Sequence, residues 1–174
     1  MTVRDILIYP DPGLSEKSAV VEKFDDDLAT LANDMAETMY AFEGIGLAAA
    51  QIGVLTRVVV MDTQEGLNLQ VFINPEIVTA SDSKHLVVEG CLSLPGVHEK
   101  VSRSLVAQVS YQDLSGETVV KVFRGLEAQC IQHEVEHLDG VVLVDNIGRA
   151  KKRWITKNLK KRKNKRNLRY TAAQ

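Results

Sequence analysis

Apolar residues along the chain fall first into a helical rhythm. Leu28, Leu31, Met35, Met39 and Phe42 recur at three- and four-residue steps, the spacing of one helix face. They predict a helix over residues 26–42. The run Asp25-Asp26-Asp27 supplies its N-cap and suits the positive end of its dipole. Glu43-Gly44 ends it. The pattern then changes. Residues 57–61 read RVVVM, β-branched and apolar throughout, as a buried strand does. Residues 69–73 predict another strand, stopped by Asn74-Pro75. Residues 104–111 and 118–123 flank Asp113-Leu114-Ser115-Gly116, a hairpin with a glycine-containing loop. Helical spacing returns over residues 126–138 and closes at Asp139-Gly140, and 141–144 predict a short strand. From about residue 149 a third helix is expected, with Ala150, Trp154, Ile155 and Leu159 as its apolar side. Strands outnumber helices and are mostly joined as hairpins, so the fold class expected is α+β.

Composition adds limits. The 174 residues are 45% hydrophobic and 25% charged, ordinary for one globular domain and unlike a disordered chain. Aromatics are only 5%, so the core must be largely aliphatic. The longest uncharged run, residues 44–56, is 13 long, short of the roughly 18 a spanning helix needs. No apolar signal core follows the first basic residue, and two cysteines make no disulfide framework. A reducing, cytoplasmic setting is expected. The net charge of −2 hides an asymmetry. Residues 151–174 hold 11 Lys or Arg and no acid, and the rest holds 10 basic residues and all 23 acidic ones. The body is thus near −13 and the tail near +11.

The chemistry is carried by His133-Glu134-Val135-Glu136-His137, an H-E-x-x-H sequence within the second predicted helix. Positions i and i+4 share a helix face, so both imidazoles can reach one metal ion. Glu134, beside the first of them, is placed to take a proton from water at that ion. An amphipathic helix that merely carries two histidines is the plain alternative, but the chain has only four His in all. A catalytic ion needs a third protein ligand. No Glu follows Glu136, and Leu143 stands where a third His would complete H-x-x-G-x-x-H. Asp139 points off the ligand face and Asp145 is a weak candidate. Cys91 is a better one, in Glu89-Gly90-Cys91-Leu92-Ser93-Leu94-Pro95-Gly96, because thiolate binds iron and zinc strongly; read alone, it is equally a small buried hydrophobe. Cys130, three residues before His133, reads as pocket wall. In Gly44-Ile45-Gly46-Leu47-Ala48-Ala49-Ala50-Gln51 the small residues leave room for a ligand backbone. Gln51 is the one amide there, able to donate to a developing oxyanion, or simply to end a small-residue strand.

Taken together, residues 44–51, 89–93 and 133–137 resemble the three ordered motifs of peptide deformylases, G-x-G-L-A-A-x-Q, E-G-C-L-S and H-E-x-x-H. The start, Ile6-Leu7-Ile8-Tyr9-Pro10-Asp11-Pro12, is similar too, so the likeness covers nearly the whole chain. It implies antiparallel sheets around a central helix carrying HEVEH, with a catalytic domain over 1–148 and a basic C-terminal helix or tail over 149–174. It implies removal of the formyl group from the N-terminal formyl-methionine of new polypeptides, a hydrolysis of a linear amide that releases formate. One Fe2+ per chain is implied, with Zn2+, Ni2+ or Co2+ as substitutes.

By the same resemblance Cys91, His133 and His137 would hold the metal, and Glu134 would act as general base and then acid. Gln51 and the backbone N–H of Leu92 would hold the oxyanion. Gly44 belongs to the substrate site, and Gly46 would leave space beside the formyl group. Ile45, Val87, Leu92, Leu126 and Cys130 would surround the methionine side chain. Glu89 is expected to be a supporting group. Four departures stand out. Glu136 replaces the usual Asp and Ala50 the usual Pro; Pro95-Gly96-Val97-His98 replaces Pro-Glu-Gln-Arg; Gln129 stands where an aliphatic residue is frequent, making the pocket more polar. His98 is expected at the surface or rim. The expected partners are a formyl-methionyl nascent peptide and, through residues 151–169, the ribosome or its RNA. Trp154 and Ile155 are expected to dock the third helix on the body. No membrane and a monomeric state complete the expectation, against two other readings: a metallopeptidase of another class, or a ribosome-binding protein with a structural metal or a dead site.

Overall fold

The computed structural model describes residues 2–64 and 68–165, with side chains through residue 161 in the last helix. Helix α1 spans Asp26–Ala41. Asp25 caps it, accepting from the Leu28 N–H at 3.1 Å, and Glu43, not Gly44, takes the left-handed turn beyond its end, with φ 55°. Gly44 is needed for another reason: a Cβ there would lie 2.8 Å from Leu92 Cδ1.

Seven strands follow: β1 Gly46–Ala48, β2 Val58–Met61, β3 Gln70–Ala80, β4 Lys84–Gly90, β5 His98–Ser104, β6 Val106–Gln112 and β7 Thr118–Arg124. All named pairings are antiparallel, in a five-stranded sheet ordered β1-β2-β3-β6-β7 and a separate β4-β5 ribbon. Helix α2, Gly125–Leu138, packs against the larger sheet, burying Ala128, Ile131, Val135 and Leu138 with Val59, Met61, Phe72 and Phe123. On the opposite face Met35 and Met39 of α1 meet Val58, Val60 and Ile73. Strand β2 is therefore covered on both sides, which is why its sequence does not alternate. A third cluster joins Leu14, Leu94, Val101 and residues 142–144 to Ile155 and Leu159 of helix α3, Arg149–Lys165. The α+β expectation holds, with α2 between the sheets.

Several local expectations are corrected. Asn74-Pro75 does not stop β3. The register shifts between Ile73 and Glu76, and Asn74 takes a positive φ of 52°. The proline thus sits at an irregularity, where the missing ladder donor costs least. The Asn74 side chain accepts from the Val21 N–H at 2.8 Å and donates to Val21 O and Gln112 Oε1, tying the irregular segment down. Residues 141–144 form no strand. A 3₁₀ turn runs over Leu143–Asn146, with Asp145 Oδ2 accepting from the Val142 N–H at 2.9 Å, and its apolar side chains plug the third cluster. Strand β5 had no hydrophobic run to announce it, with six charged or polar residues in seven, and β4 only the short Leu86-Val87-Val88. Helix α3 docks on a narrower edge than expected: Ile155 and Leu159 are buried, but Trp154 is 67% exposed and Ala150 is exposed. The part of the tail over 166–174 lies outside the described residues.

Candidate metal centre

Helix α2 places His133 and His137 one turn apart on one buried face, ring centroids 4.9 Å apart. Strand β4 ends at Gly90, and the turn after it, closed by Leu94 N–H donating to Cys91 O at 2.8 Å, presents the Cys91 thiol. Cys91 Sγ lies 3.2 Å from His137 Nε2. One donor atom from each of Cys91, His133 and His137 falls within 4.8 Å of the others. That convergence of one sulfur and two imidazole nitrogens fits a single borderline or soft cation. Three protein donors among the described residues, rather than four, is the count of a catalytic site that leaves a position for water or substrate.

A buried ion-pair chain orients the first histidine. Glu89 Oε2 accepts from His133 Nδ1 at 2.9 Å, leaving Nε2 to the cluster. Arg103 grips Glu89 with two bonds of 2.8 and 3.0 Å, and grips Glu136 with two more of 2.5 and 2.9 Å. Asn146 Nδ2 donates to Glu136 Oε2 at 2.8 Å. Glu136 thus faces away from the cluster, as its helix position predicts, yet joins α2 to β5 and, through Arg103, to Glu89. Burial works against the Glu89 carboxylate, but bonds from His133 and Arg103 outweigh it and hold its pKa low. Burial also opposes a proton on His133, and there the bonds to Cys91 and Glu89 prevail, raising it. His137 is pushed down by burial and by the neighbouring His133, and its buried Nδ1 has no partner among the described residues.

Glu134 lies deep beside this cluster. Burial, the largest influence, pushes its carboxyl up to about 7, and its Oε2 has no hydrogen-bond partner among the described residues. Gly46 makes its place: a Cβ there would stand 2.7 Å from Glu134 Oε1 and 2.6 Å from Cys130 Sγ. Gln51 is fixed at both ends of its amide. Its Oε1 accepts from the Ala48 N–H at 2.8 Å, and its Nε2 donates towards Ser93 Oγ at 3.3 Å and Cys91 Sγ at 3.6 Å. The amide nitrogen therefore faces the cluster.

A cavity of about 400 Å³ opens in front of these groups. Gly44, Ile45, Gly46, Leu92, Leu126 and Cys130 line it, with Ile45 and Leu126 partly exposed at its mouth. The Cys130 thiol donates to Ile45 O at 3.6 Å and stands outside the donor cluster. Val87 does not line the cavity. It packs towards the third apolar cluster, and Val88, the next residue on the strand, turns to the cavity instead. His98 and Gln129 line it too. Arg103 escaped the sequence reading; one arginine in a polar strand carries no mark of burial, and only its place between two carboxylates reveals it.

A sequence profile of the polypeptide deformylase family matches residues 3–153. The chain belongs to that family. A peptide deformylase of Phenylobacterium zucineum is 48% identical over 164 residues, covering 92% of this chain and 97% of its own. One from Zymomonas mobilis is 45% identical over 168 residues, covering 92% and 95%. Among solved deformylase structures, that from Legionella pneumophila superposes with a TM-score of 0.89 at 39% identity, covering 94% of this chain and 96% of its own. The Ehrlichia chaffeensis deformylase in complex with actinonin gives 0.86 at 38% identity, covering 93% and 98%. The family is metal-dependent, in keeping with the cysteine–histidine cluster.

Proposed function

We propose that this chain is a metal-dependent hydrolase that removes the N-formyl group from formyl-methionine at the start of new polypeptides. The observation that carries the reading is the convergence of Cys91, His133 and His137 beside Glu134, a buried carboxylate whose Oε2 has no hydrogen-bond partner among the described residues. A structural site has no use for such a carboxylate, and a closed structural site has four protein ligands. Cys91, His133 and His137 hold the metal; one sulfur and two imidazoles suit iron and zinc alike, and Fe2+ is the ion the family resemblance implies, with Zn2+, Ni2+ or Co2+ able to replace it. When bound, the metal supplies a Lewis acid that activates water and polarises the formyl oxygen.

The chain's own groups do the rest. Glu134 takes a proton from water and returns it to the leaving amine, and its raised pKa suits both directions. Gln51 Nε2, already turned to the cluster, and the Leu92 backbone N–H donate to the oxyanion. Gly46 keeps the space beside Glu134 clear. Ile45, Leu126 and Cys130 receive the first side chain, with Gly44 letting the wall at Leu92 come close. Residues 1–148 form the catalytic unit, and the basic segment 149–174 engages ribosomal RNA phosphates through residues 151–169. The enzyme is a cytoplasmic monomer. No helix of the described residues is long and apolar enough to cross a membrane.

The test is formate release from formyl-Met-Ala-Ser, assayed anaerobically with metal analysis on the same sample. Turnover with about one metal per chain is expected. No release after reloading with Fe2+, Ni2+ or Zn2+ would overturn the reading.

A further inference from the structure

The cavity wall on α2 carries a polar group that the reaction above does not use. Leu126, Gln129, Cys130 and His133 occupy positions i, i+3, i+4 and i+7 of the helix and all line the cavity. Gln129 precedes His133 by four residues, about 6 Å along the helix axis. That is roughly the reach of a methionine side chain whose formyl group stands at His133. The Gln129 side chain is half-buried and crosses from α2 towards β4, where Nε2 donates to Val88 O at 3.4 Å. This bond is long for an amide. Among the described residues the second N–H of that nitrogen and the Oε1 have no partner. The neighbouring thiol of Cys130 is committed to Ile45 O. The second N–H of Gln129 is thus a donor on the α2 wall of the cavity, at its exposed edge beside Val88.

We propose that Gln129 extends the substrates of this chain to formylated N-termini whose first side chain ends in a strong hydrogen-bond acceptor. Formyl-methionine sulfoxide is the member of that class nearest in shape to formyl-methionine. The inference rests on the deformylase reading. Oxidation turns the apolar thioether into a polar S=O. In an all-aliphatic pocket that oxygen would be buried without a partner, at the full cost of its lost hydration. Here the Gln129 N–H satisfies it. Sites that hydrogen-bond a substrate group discriminate for it far more sharply than apolar walls discriminate by size. The same amide gains nothing from a hydrocarbon tip, so norleucine is the matched control.

The experiment measures kcat and KM for formyl-Met-Ala-Ser, formyl-Met-sulfoxide-Ala-Ser and formyl-norleucyl-Ala-Ser with the metal-loaded wild type, Gln129→Leu and Gln129→Glu. In Gln129→Leu the ratio of sulfoxide to norleucine kcat/KM should fall about tenfold, the worth of one ordinary hydrogen bond. The fall should come through KM rather than kcat. Gln129→Glu, which keeps the shape but replaces the donor with a charge, should lose the sulfoxide peptide at least as strongly. Being ratios within one protein, these values do not depend on how much of a variant folds. A ratio unchanged within about twofold in both variants, with formyl-Met-Ala-Ser turned over by the wild type, would overturn this inference alone. No turnover of any of the three peptides by the wild type would overturn the deformylase reading and this inference with it.

Discussion

Glu134 is the residue on which the chemistry turns, and its surroundings make a sharp prediction. It is buried, its Oε2 is unpaired among the described residues, and its pKa is pushed up by burial. Gln is nearly isosteric but cannot carry the proton. Glu134→Gln should retain about one metal per chain while kcat falls by roughly a hundredfold or more, read as formate release beside metal analysis of the same protein. Turnover near wild type would remove Glu134 as the base. Most of this was legible beforehand because His133, Glu134 and His137 lie within one helical turn, where spacing fixes geometry. The third donor was less so. Cys91 lies 42 residues before His133; read alone it was equally a small buried hydrophobe, and the ordered motifs tipped the balance. Val87 shows the limit: neighbours on a strand face opposite ways, and the motif did not say which of Val87 and Val88 turns to the cavity.

At the scale of elements, two charged clusters hold segments together, and each predicts a measurable loss. Arg103 of β5 is buried between Glu89 of β4 and Glu136 of α2, so it fastens the small ribbon to the central helix. Arg103→Met would leave Glu89 buried without its cation. The expected cost is about 3–5 kcal/mol in urea unfolding of the metal-free protein. Metal affinity should fall about 10–100-fold in competition with a chelator, because His133 loses its fixed orientation. The sequence could not show this link, since β5 is almost wholly polar, β4 has only a three-residue apolar run, and their pairing is set by register. α1, by contrast, was legible almost residue for residue from its cap and stripe.

The N-terminal segment is latched to that helix. Asp34 accepts from the Thr2 N–H at 2.8 Å and from Arg4 at 2.9 and 2.6 Å. The bond from Arg4, above all, holds the Asp34 pKa below 3.8. A depressed carboxyl stabilises fully above its unfolded value and loses that contribution as pH falls through the folded one. The stability gap between wild type and Asp34→Asn in urea should therefore be constant near neutrality and close as the pH drops below about 4. A gap unchanged at pH 3 would show that the latch does not depend on the charge.

Across the whole molecule the main feature is the division of charge, a body near −13 and a tail near +11. Two such parts on one chain should attract each other, and the structure shows the beginnings of this: Lys151 pairs with Glu99 and Lys152 with Asp145. Both pairs lie at the start of α3, where Ile155 and Leu159 dock. Beyond Leu159 the sequence has no acid, and its lysines and arginines are the charges proposed to meet RNA phosphates. Trp154, expected among the docking residues, stands exposed instead. Deleting residues 160–174 keeps both docking residues and every donor of the metal cluster while removing 7 of the 11 basic charges of residues 151–174. Turnover of a short formyl peptide should then be unchanged. Ribosome binding, followed by co-sedimentation, should weaken, and its dependence on salt should become shallower, since a shorter tail neutralises fewer phosphates and so displaces fewer condensed counterions. Equal binding at low salt would place any ribosome contact on the body. That would be physically awkward, because the body's net negative charge repels RNA. A weakened, flatter salt response with intact peptide turnover would instead separate the two tasks along the chain: chemistry in the docked body, and delivery to the nascent peptide in the basic end.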